Sequence, residues 1–207
     1  MSTTVEKVRR PRGRPRAYEQ GSALDAALKI FWTRGYSGTS VDDLAAAMKM
    51  SKPSVYAAFG NKQAVYEAAV NHYIATIGSC YLQPLAAEAT LRGALLGFYA
   101  AVIDVVTGKH GPLGCVVACT LPAEAGASKE ARDLLSGMFA QLDGAVVARL
   151  RTAQAAGELA AEADATLLGQ IVTSGMFALS IRARSGATRR ALMKLSRGFV
   201  YLVSPAK

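Results

Sequence analysis

Lys52 and Ser54 are the side chains whose type and spacing most clearly suggest chemistry. They lie in the run Ser51-Lys52-Pro53-Ser54-Val55-Tyr56-Ala57-Ala58-Phe59. An ammonium and a hydroxyl near the start of one short helix offer donors to acceptor groups on base edges. The element that must carry them is legible. Ser51 can cap a helix, Pro53 is harmless in a first turn where an amide would be unpaired anyway, and Val55 with Phe59 forms the inward pair. Just upstream, Ser40 followed by Asp43 has the form of a capping box, and Val41, Leu44, Ala45 and Met48 recur as the apolar face of another short helix. Thr39 to Lys62 therefore reads as two amphipathic helices on a tight turn, a geometry that lowers the start of the second helix onto base edges in the major groove.

The second candidate for chemistry is Cys115-x-x-x-Cys119, which on a helix puts two thiols on one face, with Cys80 elsewhere. Three soft ligands suit copper or zinc, and two can oxidise to report redox stress. The competing reading is packing, because the thiols sit in the apolar run Gly114 to Cys119 and free cysteine behaves as a small hydrophobe. Packing is the favoured reading, so no metal and no cofactor is assigned. Three cysteines also fit reduced thiols better than a disulfide framework. No phosphate loop, dinucleotide fingerprint or His-Glu-x-x-His is present, and neither His72 nor His110 has an acid or nucleophile at motif spacing. Catalysis is not expected.

Charge supports a polyanionic partner. The chain has 24 Lys and Arg against 15 Asp and Glu, and residues 1–62 alone hold eleven bases and five acids, a local net +6 out of +9. The arm Pro11-Arg12-Gly13-Arg14-Pro15-Arg16 resembles the AT-hook core, an extended segment in which Arg12, Arg14 and Arg16 suit a narrow A·T-rich minor groove. The plainer alternative is a basic tail that adds nonspecific affinity.

Residues 18–66 as a whole resemble the TetR family of prokaryotic transcriptional regulators. The resemblance rests on Phe31-x-x-x-Gly35-Tyr36-x-x-Thr39-Ser40-Val41-x-x-Leu44 and on Ser54-Val55-Tyr56-x-x-Phe59-x-x-Lys62. It implies base contacts from Lys52 and Ser54, apolar contact with a thymine methyl from Pro53, and phosphate contacts from Tyr56 and Lys62, with Thr39 or Ser40 adding one at a helix start. A buried core tyrosine is the rival reading of Tyr56. Ala58 departs from the pattern, since many members carry a bulkier aromatic or histidine there. Beyond residue 66 the likeness is one of length and helical pattern, as expected of a divergent ligand-binding half.

The remaining chain reads as helical throughout, giving an all-α fold of about nine helices. The expected organisation is a flexible arm over residues 1–17, a helix-turn-helix domain over 18–66, and a ligand-binding and dimerisation domain over 67–207. Helix one is expected from about Tyr18 to Arg34, closed by Gly35, with Tyr36 packed under the hairpin. Asn61 should cap a fourth helix ending near Gly78, and Pro84 should break the chain before a long apolar helix from Leu85 to Val106. A short helix from Leu113 to Ala125, broken near Pro122, precedes a long one ending at Ala156-Gly157-Glu158. Asp164 to Ser185 and Thr188 to Val203 are the last two. The apolar stretch Ala94 to Ile103 is too short to span a bilayer, and the N-terminus has no apolar run of the secretory kind, so a cytoplasmic, nucleoid-associated protein is expected.

Within the second half, Phe98, Tyr99, Val102, Cys115, Cys119, Met138, Phe139, Met176 and Phe177 form an apolar and sulfur-bearing set from which core and ligand pocket must both be drawn. On the last two helices, Leu168, Ile171, Val172, Gly175 and Leu179, with Leu192, Leu195, Phe199 and Leu202, make seams suited to a four-helix dimer interface. Gly169 and Gly198 add small residues to them. The expected partners are a double-stranded DNA operator, a second copy of the chain and a hydrophobic small-molecule effector, with no membrane. Three other readings stay open. They are a redox or metal-responsive regulator using Cys115 and Cys119, a DNA-organising protein without an inducer, and an enzyme whose hairpin is incidental.

The arm yields a measurement. Deleting residues 1–16 removes six bases and one acid. The slope of log affinity against log salt should then flatten by up to ~0.9 per lost phosphate contact. Minor-groove insertion adds a larger loss on operators with A·T-rich flanks than on G·C-rich ones, and equal losses would reduce the arm to an electrostatic tether.

Overall fold

The computed structural model describes residues 16–109 and 112–204. Nine α-helices occur among them, and no strand: α1 Arg16–Arg34, α2 Val41–Met48, α3 Lys52–Phe59, α4 Lys62–Ala87, α5 Leu91–Asp104, α6 Val116–Ala125, α7 Lys129–Ala155, α8 Ala165–Arg184 and α9 Arg189–Val203. The boundaries follow from side-chain chemistry. Ser40, Ser51, Asn61, Thr90, Ser128, Asp164 and Thr188 each accept a hydrogen bond from an amide in the first turn that follows. Gly35, at φ +73°, ends α1 in the left-handed conformation and donates its N–H to Phe31 O at 2.8 Å.

Two expected breaks are absent. Pro84 lies inside α4, which runs unbroken to Ala87. Its missing amide removes one bond near the helix end, where the ladder has few bonds left to lose. The chain turns instead at Glu88 to Thr90, where Thr90 caps α5. Pro122 likewise lies within an unbroken α6, and α6 begins at Val116 rather than Leu113. A π-helical turn, Val105–Lys109, follows α5.

Helix α4 spans 26 residues, roughly 39 Å at 1.5 Å per residue, and so belongs to both halves of the molecule. At its start it packs on α1 through an aromatic cluster. The rings of Phe31 and Tyr66 meet edge to face at 5.1 Å, as do Tyr36 with Tyr66 at 5.3 Å and Trp32 with Tyr73 at 5.2 Å. Further along it lies against α5, the central helix of the body. Leu91, Leu95, Phe98, Tyr99 and Ile103 of α5 are wholly buried under α4, α8 and α9. Each such side chain contributes about 1.5–3 kcal/mol by leaving water. The window Leu91–Gly108, with mean hydropathy 1.4, is long and apolar enough to cross a membrane, although the residues just named are enclosed by protein.

Close helix crossings depend on glycine. A Cβ at Gly175 would lie 2.6 Å from Tyr99 Oη, the hydroxyl that donates to Val172 O at 2.9 Å, and 3.0 Å from Phe199 Cδ2. A Cβ at Gly169 would lie 2.6 Å from Val147 Cγ2. Both glycines therefore join helices within one subunit, which corrects their expected place in a dimer seam. Gly175→Ala should lower stability by about 1–3 kcal/mol in urea titration, the range for overpacking. Gly137→Ala, in α7 with nothing within 4 Å of the new methyl, should raise it by about 0.5–1 kcal/mol.

Candidate nucleic-acid interface and effector groove

Interlocked caps fix the position of α2. Ser40 Oγ accepts the Asp43 N–H at 3.1 Å, while Asp43 Oδ2 accepts the Ser40 N–H at 2.9 Å and hydroxyl at 2.6 Å. Arg34, from the end of α1, reaches Asp43 Oδ1 at 2.7 Å. The Ser40 hydroxyl, the Ser40 amide and the Arg34 guanidinium together hold the Asp43 carboxyl down at about 2. The pairing is therefore complete at neutral pH and is lost only as pH falls from the ordinary carboxylate range towards that value. The turn into α3 is made by Lys49 in the left-handed region, at φ +55° and ψ +41°, with Met50 N–H bonded to Ala45 O at 2.9 Å.

Helix α3 buries little. Val55 is enclosed and Phe59 half-buried, whereas Lys52, Pro53, Ser54, Tyr56, Ala57 and Ala58 are exposed. One face is thus free to meet DNA, with alanines permitting close approach. Tyr56 is 47% exposed, so the core-tyrosine reading fails. Lys52 Nζ sits 2.8 Å from Asp42 Oδ1 at the surface, and the hydrogen bond and charge of that carboxylate raise the lysine pKa. Lys62 Nζ lies 4.1 Å from the centre of the Tyr36 ring, a cation–π contact that aims it from the start of α4. Ser54 lies at the exposed first turn, its hydroxyl 2.8 Å from that of Ser51. Ser40 is exposed but occupied by the cap.

Thr39 differs from expectation. It is 2% exposed, its hydroxyl donates to Gly35 O at 2.7 Å and its N–H to Tyr36 O at 3.1 Å, so the side chain closes the α1–α2 corner instead of facing a phosphate. Arg12 and Arg14 lie outside the described residues, and Arg16 is the first residue of α1.

The body contains a groove of about 380 Å³ between α4 and α7, lined by Asn71, Ile74, Ala75, Gly78, Tyr81, Leu82, Met138, Gln141 and Leu142. Of the nine side chains expected to line a pocket, only Met138 is on this wall. Phe98, Tyr99 and Val102 point into the core, Met176 is buried, and Phe139 and Phe177 stack against each other at 4.9 Å near the α7–α8 surface. The missed signal is a second stripe on α4, Ile74, Gly78 and Leu82, at four-residue spacing. Cys115 is buried, and Tyr73 donates its hydroxyl to the sulfur at 3.5 Å. Burial pushes up the thiols of both Cys115 and Cys119, which keeps them protonated and poorly nucleophilic. Among the described residues no cluster of three or more His, Cys, Asp or Glu side chains could hold a metal.

Among the described residues, helices α8 and α9 carry five of the eight exposed large apolar side chains: Leu167, Ile171, Ile181, Tyr201 and Leu202. Ile171 and Leu202 were expected on an interface; Leu167, Ile181 and Tyr201 were not. Val172, Leu179 and Leu192 instead turn inward with Gly175, and Leu168, Leu195 and Phe199 are half-buried against the subunit's own core. The free stripe on α8 lies one residue away from the expected one. A helix that is apolar nearly all round does not announce which side faces its own core.

An exposed recognition helix on a rigid hairpin, joined by one long helix to a body with an uncovered apolar face, defines a helix-turn-helix DNA-binding transcriptional regulator. Residues 23–69 match the profile described as bacterial regulatory proteins, tetR family, and residues 93–199 that of the tetracyclin repressor-like C-terminal domain. The HTH-type transcriptional repressor ComR of Escherichia coli K12 is 30% identical over 194 residues, covering 93% of this chain and 92% of that protein. The transcriptional regulator AcuR of Cereibacter sphaeroides is 29% identical over 198 residues, 92% of this chain and 88% of that one. The solved regulator CifR, a cysteine mutant complexed with 26-bp double-strand operator DNA, superposes with a TM-score of 0.78 at 30% identity, covering 90% of this chain and 98% of that one. The chain belongs to the TetR family.

The two lysines should behave differently when removed. Lys52→Ala should lower operator affinity roughly ten- to a hundredfold and relax preference at one or two positions in each half-site. Lys62→Ala should weaken binding to all sequences alike and reduce the salt slope by about 1. Binding-site selection with each variant checks this: an unchanged motif with Lys52 replaced and an altered one with Lys62 replaced would reverse the roles.

Proposed function

We propose that this protein is a homodimeric repressor that binds a palindromic operator through Lys52, Pro53, Ser54, Tyr56 and Lys62 and is released by a small molecule held in its C-terminal half. The observation that carries this reading is the continuity of α4. It starts at Lys62, three residues after the end of the recognition helix, and forms one wall of the groove 9–20 residues later. A ligand that shifts α4 in the groove changes the spacing of the two readers in a dimer. Such an effector must bind the DNA-incompetent spacing more tightly, with coupling typically of ~1–3 kcal/mol. Two readers are needed because one short helix contacts too few bases, whereas a two-fold dimer sets its recognition helices about one DNA turn (~34 Å) or a multiple apart.

The dimer face in this reading is the exposed stripe of α8 and α9, and the reading assigns no catalytic step to any residue. The groove favours it over an inducer-independent DNA-organising protein. The burial of Cys115 favours it over thiol or metal sensing.

An electrophoretic shift on the gene's own upstream region should give a salt-sensitive complex, and the interface is tested with Ile181→Glu and Leu202→Glu combined. Both side chains are more than half exposed in the single subunit, so the variant should keep its helical signal. Charge placed in a dimer core lacks a partner, and half-site affinity rarely competes with nonspecific DNA. Sedimentation should find a wild-type dimer at micromolar concentration and a monomeric variant whose operator binding drops more than a hundredfold. A monomeric wild type, or a variant that stays dimeric and binds normally, would remove these helices from the interface.

A further inference from the structure

The groove between α4 and α7 does not end at Leu142. A second depression of about 420 Å³ continues it towards the far end of both helices, sharing Leu82 and bounded by Leu85, Ala86, Ala145, Ala148 and Arg149. Its walls are mostly aliphatic, with Glu88, Arg149, Thr152 and Glu158 as the polar residues. Of these, Arg149 lacks a full set of partners. Its side chain is 9% exposed, and its Nη2 makes only two long contacts, 3.4 Å to Ala89 O and 3.7 Å to Glu158 Oε1. Nη1 is buried and has no hydrogen-bond partner. A guanidinium cannot shed its proton to escape this, and leaving its donors dry is costly.

We propose that Arg149 is the anchor for the carboxylate of an amphipathic organic acid whose apolar part lies along α4 and α7 towards Met138. The proposal rests on the effector reading given above and names the chemical class of the effector. The guanidinium fork matches a carboxylate with two parallel N–H···O bonds, and a ligand arriving along the groove meets the arginine at its end. A single negative charge is favoured over a phosphate dianion because two carboxylates, Glu88 and Glu158, also line this part. Their oxygens do not substitute for the missing partner. Glu158 Oε2 accepts the Leu91 N–H at 2.6 Å, capping α5, and Glu88 Oε2 is turned towards Gly93, where it would lie 3.3 Å from an added Cβ. Of the remaining polar groups, Asn71, Tyr81 and Gln141 line the first depression and Thr152, near Arg149, donates its hydroxyl to Ala148 O at 3.1 Å; all four are neutral. The ligand is thus expected to carry its charge at one end only.

The test uses the full-length dimer and matched probes: octanoate with octan-1-ol, methyl octanoate and octylamine, and phenylacetate with 2-phenylethanol. Calorimetry reads binding, and an electrophoretic shift on the upstream DNA reads release separately. At least one acid should bind ten times or more tighter than its neutral partner. Arg149→Gln should abolish that preference while leaving the weaker affinity for the alcohol, and Arg149→Lys should restore part of it. If Arg149→Gln does not fold, the wild-type comparison of acid with alcohol and ester still decides the matter. Acids that bind no tighter than neutral partners, or amines that bind best, overturn the proposal, as does an acid preference that survives Arg149→Gln. An acid preference without release of DNA leaves the anchor standing and removes the effector reading. Release by neutral probes alone does the reverse.

Discussion

The aromatic seam between α1 and α4 is the contact on which the rest of this molecule depends. A recognition helix of eight residues with one wholly buried side chain cannot hold itself in place. Its orientation is borrowed from α1 and α2, and theirs from the rings of Phe31, Trp32, Tyr36, Tyr66 and Tyr73 packed between α1 and α4. Desolvation there is deep enough to push the Tyr66 phenol up to about 12, against the opposing effect of its 2.8 Å hydrogen bond with Thr120. Because the seam uses α4, the reader is tied to the body by a continuous helix and its ring contacts.

Helix α6 is the body's hold on this seam. Thr120 bonds Tyr66, and Cys115 receives the Tyr73 hydroxyl. From α8, Arg184 Nη2 donates to Trp32 O at 2.8 Å and Nη1 to Leu113 O at 3.2 Å. Gly114, at φ +84°, makes room for this arrangement, since a Cβ there would stand 2.9 Å from Cys119 Sγ and 3.0 Å from Arg184 Cβ. Cys115, buried, and Cys119, half-buried, thereby sit in a joint between reader and body. A buried thiol next to a tyrosine hydroxyl fills volume and satisfies one donor, and its raised pKa is a consequence of that role.

Local signals explain which parts of this architecture were legible in the chain. Capping residues, a glycine C-cap and three- or four-residue apolar spacing act over one turn, so the hairpin, its exposed polar face and most helix starts could be read directly. Pro84 and Pro122 misled because proline forbids only one hydrogen bond, and packing, as of Pro84 against Gly97, can outweigh that loss near a helix end. The inward and outward faces of α8 differ by one residue and depend on which neighbours pack against it, a fact of tertiary structure. The groove was missed for the same reason. Its walls come from the second face of α4 and from α7, and Arg149 gave no sign in sequence that one of its nitrogens would be left dry. Thr39 was misassigned because a hydroxyl at a helix start serves a cap or a phosphate equally well until its burial is known.

The ion pair between Lys52 and Asp42 has a further meaning for how such a reader tells one sequence from another. In the free protein the lysine already has an acceptor, so the base contact proposed for it must draw it from that carboxylate whatever the sequence. That loss is identical for all sequences. A base edge with an acceptor in the right place replaces the bond in kind, whereas at a mismatched site the exposed lysine has only water to turn to. An acidic residue beside a DNA-binding surface, which looks like a defect in its electrostatics, thus lowers the hold on every sequence alike and leaves discrimination to the geometry of the base edge that takes its place.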